Sequence, residues 1–284
     1  MPSKSGPTLR AQWLGQHLHQ LRVEAGLKLR DVGEYLQRDG STIGRFESGE
    51  YPIRRPDLLA LIDLYRVSGK RKREALLELH RESWQRGWWD DYAGDVDEKF
   101  VDFMWLEQRA TGMQAFEQSL VTGLLQTEDY ARAVISGAEP HATAEQVERW
   151  VGLRMTRQQL LDRDQPPGIR AVLDEAVLTR RIGDAAVRAG QLRHLLALAE
   201  RPGIEVRVLP FTAGAHPGVP GSFKIFEMAE PYPEVGYVET IAGALYVEPP
   251  NTERFRAAYD GLVQAALSPQ QSAERIAAEV DDVE

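Results

Sequence analysis

Arginine side chains collect early in this chain, at Arg38, Arg45, Arg54 and Arg55. A guanidinium holds five N–H donors in a planar fork that matches phosphate oxygens, carboxylates and the acceptor edges of bases. The chemistry this supports is recognition. Groups for making and breaking bonds are harder to find, since the sequence has no Gly-x-Ser-x-Gly elbow, phosphate loop of the Walker type, Gly-x-Gly-x-x-Gly after a strand, or His-Glu-x-x-His pair. Cysteine is absent, which excludes disulfides, thiolate zinc sites, iron-sulfur clusters and cysteine nucleophiles. Of the six histidines only His17 and His19 are close, and two residues apart on a helix they face different sides, so no metal site is expected. His216 lies in the segment Gly214 to Gly221 between two expected strands. It has the form of a ligand-binding or acid-base group, but the surrounding Gly and Pro serve chain reversal without further cause, and that reading is favoured. Glu175 and Glu239 stand beside strand ends, where they line a pocket or are simply solvated. The chain is read as no enzyme, with no cofactor and no metal.

These side chains need elements to position them. Leu14, Leu18, Leu21 and Ala25 give a helical stripe that Gly26 ends. Leu29, Val32, Tyr35 and Leu36 repeat the spacing, and after Gln37 to Gly40 a third short helix turns Ile43 and Phe46 inward. Asp39 or Ser41 is placed to cap it, and Gly49 to stop it. Pro56 opens a fourth helix with Leu58, Leu59, Leu61, Ile62 and Tyr65 on its buried side, and Lys70 to Trp84 form a fifth. The aromatic and acidic stretch Gly87 to Gly94 breaks the pattern, and its aromatic side chains are read as packing at a domain junction. The spacing from Asp97 to Ser119 predicts helix, as does that from Glu128 to Ile135 and from Ala144 to Leu161. After Pro166 the segments Ile169 to Leu173, Ile204 to Leu209, Ser222 to Met228, Val235 to Thr240 and Ala244 to Val247 read as strands, with a helix near Asp184 to Ala199 and a closing helix over Phe255 to Leu267. The expected fold is an all-α domain over residues 1–86, then an α+β domain over 87–284 with a mainly antiparallel sheet.

Charge divides along the same line. The overall formal charge is −9, yet Met1 to Asp90 hold 16 Lys and Arg against 12 Asp and Glu, while the remainder holds 18 against 31. The basic run Lys70, Arg71, Lys72 and Arg73 belongs to the first part, where a solvated helix face is its ordinary reading.

The segment Gly26 to Gly49 resembles the helix-turn-helix of the XRE (xenobiotic-response-element) regulators, relatives of phage repressors. The match runs without a gap through Gly26, Leu27, Leu36, Ser41, Thr42, Ile43, Arg45, Glu47 and Gly49, with Val32 and Gly33 as close substitutes. Lys28 and Leu29 stand where that family has a capping Ser and a phosphate-contacting Gln, and Arg38 and Asp39 replace Val and Ser in the turn. The resemblance implies a five-helix, phage-repressor-like domain that binds double-stranded DNA. A short helix with small polar residues at its start enters the major groove. Arg38, Gly40, Ser41, Thr42, Gly44, Arg45, Arg54 and Arg55 are the DNA-facing candidates. Arg45 leads by its reach. Its alternative is a surface arginine paired with a carboxylate, and Ser41 and Thr42 have the alternative of capping.

Farther along, Gly123-Leu-Leu-Gln-Thr127, Tyr130-Ala-Arg-Ala133, Arg157-Gln158, Leu173-Asp-Glu-Ala176, Gln191-Leu192, Val208-Leu-Pro-Phe211, Gly214-Ala-His216 and Tyr237-Val-Glu239 resemble the C-terminal domain of actinobacterial XRE regulators described as antitoxin-like. That resemblance implies a small partner protein encoded nearby. The leading expectation is a cytoplasmic transcription regulator that binds a short operator as a homodimer. Its acidic domain dimerises and answers a partner or ligand. The alternatives are an antitoxin-like protein whose main act is to sequester a small partner, and a small-molecule sensor. No run of apolar residues reaches the ~20 of a membrane span, so no membrane partner is expected.

Overall fold

The computed structural model describes residues 7–84, 88, 92, 96 and 98–283, and the chain divides into two compact units, Met1–Asp102 and Phe103–Glu284. The boundary expected at residues 86 and 87, and most of the aromatic and acidic stretch 87–94, lie outside the described residues.

The first unit is helical: α1 (Leu9–Glu24), α2 (Leu29–Leu36), α3 (Gly40–Glu47), α4 (Arg55–Leu64) and α5 (Lys70–Trp84). The Thr8 hydroxyl caps α1 by accepting the Ala11 N–H at 3.3 Å, and Gly26 ends it at φ +70°. Trp13, Leu14, Leu18 and Leu21 form its buried stripe, and Val32, Ile43, Leu58, Leu61 and Ile62 are buried on the helices that follow. Each fully buried Leu or Ile contributes about 1.5 to 3 kcal/mol. Ala25, expected on that stripe, is exposed because the helix has already stopped at Glu24. Tyr35, expected inward, is also exposed, since Leu36, four residues after Val32, takes the inward position. Pro56 sits in the first turn of α4, where its missing N–H costs nothing.

The second unit is α+β. Helix α6 (Glu98–Arg109), whose first turn belongs to the first unit, runs directly into strand β1 (Ala110–Glu117), and the sheet order is β3-β2-β1-β4-β5-β6, with β2 (Gly168–Asp174), β3 (Ile204–Leu209), β4 (Phe223–Met228), β5 (Val235–Thr240) and β6 (Gly243–Val247). Strands β1, β2 and β3 are mutually parallel; β4 pairs antiparallel with β1, with Ala115 opposite Lys224, and β5 and β6 continue as an antiparallel meander. The sheet is thus mixed, with three of five pairings antiparallel. Helical spacing was expected to continue to Ser119, but residues 110–117 form the central strand. Both faces of that strand are covered, so its burial does not alternate and no strand period shows in the sequence.

Helices α7 (Glu128–Ala138) and α8 (Ala144–Gln158) connect β1 to β2, and α9 (Glu175–Thr179) and α10 (Ala185–Ala199) connect β2 to β3. Two terminal helices follow, α11 (Thr252–Ala265) and α12 (Pro269–Val283). From α11, Tyr259 and Leu262 pack on Phe116, Val172, Leu209, Phe223 and Ile225. Helix α12 closes the β3 edge: the Val208 N–H donates to the Ser272 hydroxyl at 2.9 Å and its carbonyl accepts the Leu267 N–H at 2.8 Å. At Val208 both backbone groups on that edge are therefore satisfied and offer no pairing to a further strand.

Candidate nucleic-acid interface

The turn between α2 and α3 is made by backbone geometry. Gln37 adopts φ +54°, and the Arg38 N–H returns to the Gly33 carbonyl at 2.8 Å. A Cβ on Gly33 would lie 2.8 Å from the Arg38 carbonyl oxygen and 3.0 Å from the Gly40 nitrogen, so only glycine lets the turn fold back on α2. At the start of α2 the Asp31 carboxylate accepts the Lys28 N–H at 2.9 Å, which satisfies one free donor although Lys28 has no capping oxygen of its own. Asp39 occupies the N-cap position of α3, and neither it nor Ser41 makes a side-chain cap bond there.

Helix α3 buries Ile43 and Phe46 and exposes Ser41, Arg45 and Ser48, a stripe at spacings of four and three. Thr42 and Gly44 are half-buried at its margin, and Gly40 is half-buried where a Cβ would lie 3.5 Å from the Arg30 Cα. The Arg45 guanidinium lies over the Tyr51 ring at 5.1 Å and has no carboxylate partner among the described residues. Tyr51 donates its N–H to the Arg45 carbonyl at 3.1 Å, which folds the following loop against the helix end. Tyr51 was not singled out from sequence. An aromatic two residues after the helix stop at Gly49 was the available signal.

The other basic residues divide. Arg38 is 3.6 Å from Asp57 and so spends part of its charge within the protein. Arg54 and Arg55, at the start of α4, are exposed. Lys70, Lys72 and Arg73 face Glu74, Glu24 and Asp63 at 3.8, 4.0 and 2.7 Å. This run is laced into the surface of the helical unit.

Anchoring of α3 comes from a charge pair that sequence reasoning also missed. Arg22 of α1 donates Nε to Glu47 Oε1 at 2.6 Å and Nη2 to Oε2 at 2.9 Å, while Nη1 reaches the Leu27 carbonyl at 2.9 Å. The hydrogen bonds to Glu47 outweigh burial and hold the Arg22 guanidinium above its usual range. His19 joins the cluster, with Nδ1 2.8 Å from Glu47 Oε2. Close approach completes the contact: a Cβ on Gly15 would lie 2.4 Å from the Glu47 carbonyl oxygen.

The remaining candidates lie in the second unit and are separate in their contacts. Glu175 accepts the Phe211 N–H at 2.7 Å and Arg275 Nε at 2.9 Å. Burial works against its ionisation, but that N–H and the guanidinium prevail and keep its carboxyl below the usual range. Arg275 also binds Glu279, which pairs with Arg188, so Glu175 ties α12 to the end of β3. His216 Nδ1 accepts the Gly218 N–H at 3.2 Å, and its ring meets Phe116 edge-on at 5.6 Å. Gly218 has no room for a Cβ, which would lie 2.2 Å from the Phe116 ring. Glu239 is exposed on β5. Next to this loop, Pro217, Pro220, Phe223, Val238 and Phe255 line an apolar groove of about 220 Å³ with Arg254 at its side.

The sequence of the second unit decides the family. Residues 100–278 match the family described as a domain of unknown function, DUF5753. The chain belongs to the DUF5753 family. Residues 13–76, ahead of the DUF5753 region, match a helix-turn-helix domain, a DNA-binding fold that agrees with α2, its turn and α3. No curated protein and no solved structure matches the chain. Beside the DUF5753 region, one further fact bears on partners: no helix among the described residues is long and apolar enough to cross a membrane. Nor do the described residues hold a group of three or more His, Asp or Glu that could bind a metal ion.

Proposed function

We propose that the chain is a sequence-specific transcription regulator of the XRE type, in which α3 enters the major groove and Arg45 reads a base edge. The observation that carries this reading is the state of Arg45. It stands on the exposed stripe of α3, and the Tyr51 ring holds its guanidinium in place of a carboxylate. A guanidinium with its donor fork unspent suits the two acceptors of a guanine in the major groove. Ser41, Thr42, Gly40 and Gly44 leave room for close approach at the helix start, and Arg54 and Arg55 supply phosphate contacts.

On this reading two copies bind an inverted repeat, since one such small module gains few contacts alone. The second unit dimerises and changes the spacing of the two heads when a small ligand or partner protein binds, which is the antitoxin-like element of the proposal. Its excess of carboxylates keeps it off the phosphates, and it catalyses no reaction. The test is recovery and sequencing of genomic fragments bound by the purified chain at ~150 mM salt, where nonspecific attraction is weak. A few fragments sharing an inverted repeat are expected. Uniform recovery would count against sequence-specific regulation.

A further inference from the structure

The turn Gly123–Leu125 and the two residues after it are held by three amide side chains. Gln191, 1% exposed, donates to the Leu125 carbonyl at 2.8 Å and accepts the Thr127 N–H at 2.7 Å. Gln158 donates to the Gly123 and Gln126 carbonyls at 2.9 and 2.8 Å, and Gln126 donates to the Val121 carbonyl at 2.6 Å. Burying amides is costly unless every bond is made, so this many bonds on five residues fix one backbone geometry.

Helix α8 brings Arg154 and Arg157 to this frame, three residues apart on one face. Arg157 is neutralised: Nε and Nη2 each donate to Glu107 at 2.7 Å, and both side chains are buried. Arg154 is not. It gives one Nη1–H to the neutral Gln126 amide oxygen at 2.7 Å and has no carboxylate partner among the described residues. Gly123 omits the side chain that would cover both, because a Cβ there would lie 3.5 Å from Arg157 Nη2 and 3.8 Å from Arg154 Nε. The charges acting on Arg154 are Arg157, Glu107 and Glu239. Burial and Arg157 prevail over the two carboxylates and push its pKa down to about 10.

We propose that the Arg154 guanidinium, framed by Gly123 to Thr127, binds the oxyanion of a small ligand, a carboxylate or a phosphate group. Such a group accepts the N–H donors that Gln126 leaves unused and supplies the negative charge that Arg157 receives from Glu107 and Arg154 lacks. The rigid turn holds the donors in place before the ligand arrives, which lowers the ordering cost of binding. The proposal rests on the reading of the second unit as responsive to a ligand, and it is independent of DNA recognition by α3.

The test is calorimetric titration of the full chain with sodium phosphate and, separately, sodium acetate, with chloride holding the ionic strength constant. Saturable binding of at least one probe is expected, weakened at least tenfold in Arg154→Gln and partly restored in Arg154→Lys. Binding of phosphate alone identifies a phosphorylated ligand, and binding of acetate alone a carboxylate. Should Arg154→Gln fail to fold, Gln126→Glu places a carboxylate of the chain itself on Arg154 and is expected to abolish anion binding. No saturable binding of either probe, or equal binding in both variants, would overturn the site. Anion binding that leaves DNA affinity unchanged would keep the site and remove its regulatory reading.

Discussion

Arg22 and Glu47 form a two-pronged ion pair, 2.6 and 2.9 Å, that joins α1 to the last turn of α3 with side chains only 11% and 7% exposed. The helix that presents Arg45 is therefore positioned by a charge pair on its inner side. Truncating one partner leaves the other buried and uncompensated, which costs about 3 to 5 kcal/mol. Arg22→Ala is expected to destabilise the first unit by that order, read from hydrogen exchange of the α3 amides. The double change Arg22→Met with Glu47→Leu should cost much less. Protection within about 1 kcal/mol of the parent in Arg22→Ala would show that the pair does not hold α3.

Two helical glycines should respond with opposite signs. Alanine replacing glycine in a helix interior ordinarily adds up to about 1 kcal/mol. Gly152 in α8 meets nothing within 4 Å, so Gly152→Ala should raise the melting temperature. At Gly15 the new Cβ would press into the Glu47 backbone at 2.4 Å, and Gly15→Ala should lower it. Equal shifts of the same sign would contradict the close approach of α1 to α3.

Gln37 holds φ +54° in the turn, a conformation that disfavours side chains by about 1 to 2 kcal/mol. Gln37→Gly should stabilise the first unit by up to about 1 kcal/mol after the entropy of glycine is charged against it. Chemical denaturation monitors this, and a loss of stability would mean that Gln37 contributes a contact worth more than the strain.

Much of the helical unit was legible because Leu14, Leu18, Leu21, Ile43 and Phe46 recur at helical spacing and Gly26 and Gly49 stop their helices at positive φ. Strands β2 to β6 were legible from short apolar segments bounded by Gly and Pro. Strand β1 was not, since α6 passes into it without a breaking residue and both of its faces are buried. Helix α12 was also missed: only Ser272, Ile276, Glu279 and Val280 are buried along it, a sparse stripe in an otherwise polar segment. Side-chain pairings were the least legible. Arg22 and Glu47 are 25 residues apart and Arg154 and Gln126 28, and no local spacing reports such contacts.

Acid should weaken the first unit in a defined window. His80 Nε2 lies 2.9 Å from the Ile53 carbonyl, and burial, assisted by Arg55, holds its pKa below 6.5 despite that hydrogen bond. The unfolded chain then takes up a proton before the folded one does. Stability from this group is complete above pH 6.5 and is lost as pH falls below it. His80→Gln should flatten the fall in α3 protection between pH 7.5 and 5.5. An unchanged slope would assign the acid sensitivity elsewhere.

The central claim is that Arg45 on α3 reads DNA. Fluorescence anisotropy titration of the recovered operator with the parent and Arg45→Ala, at two salt concentrations, addresses it directly. A base-reading arginine predicts a loss of about 1 to 3 kcal/mol, roughly five- to 150-fold, with relaxed discrimination at one base pair and an unchanged melting temperature. Equal affinity and equal discrimination in the two proteins, with the same dependence on salt, would contradict the assignment of α3 as the reading helix.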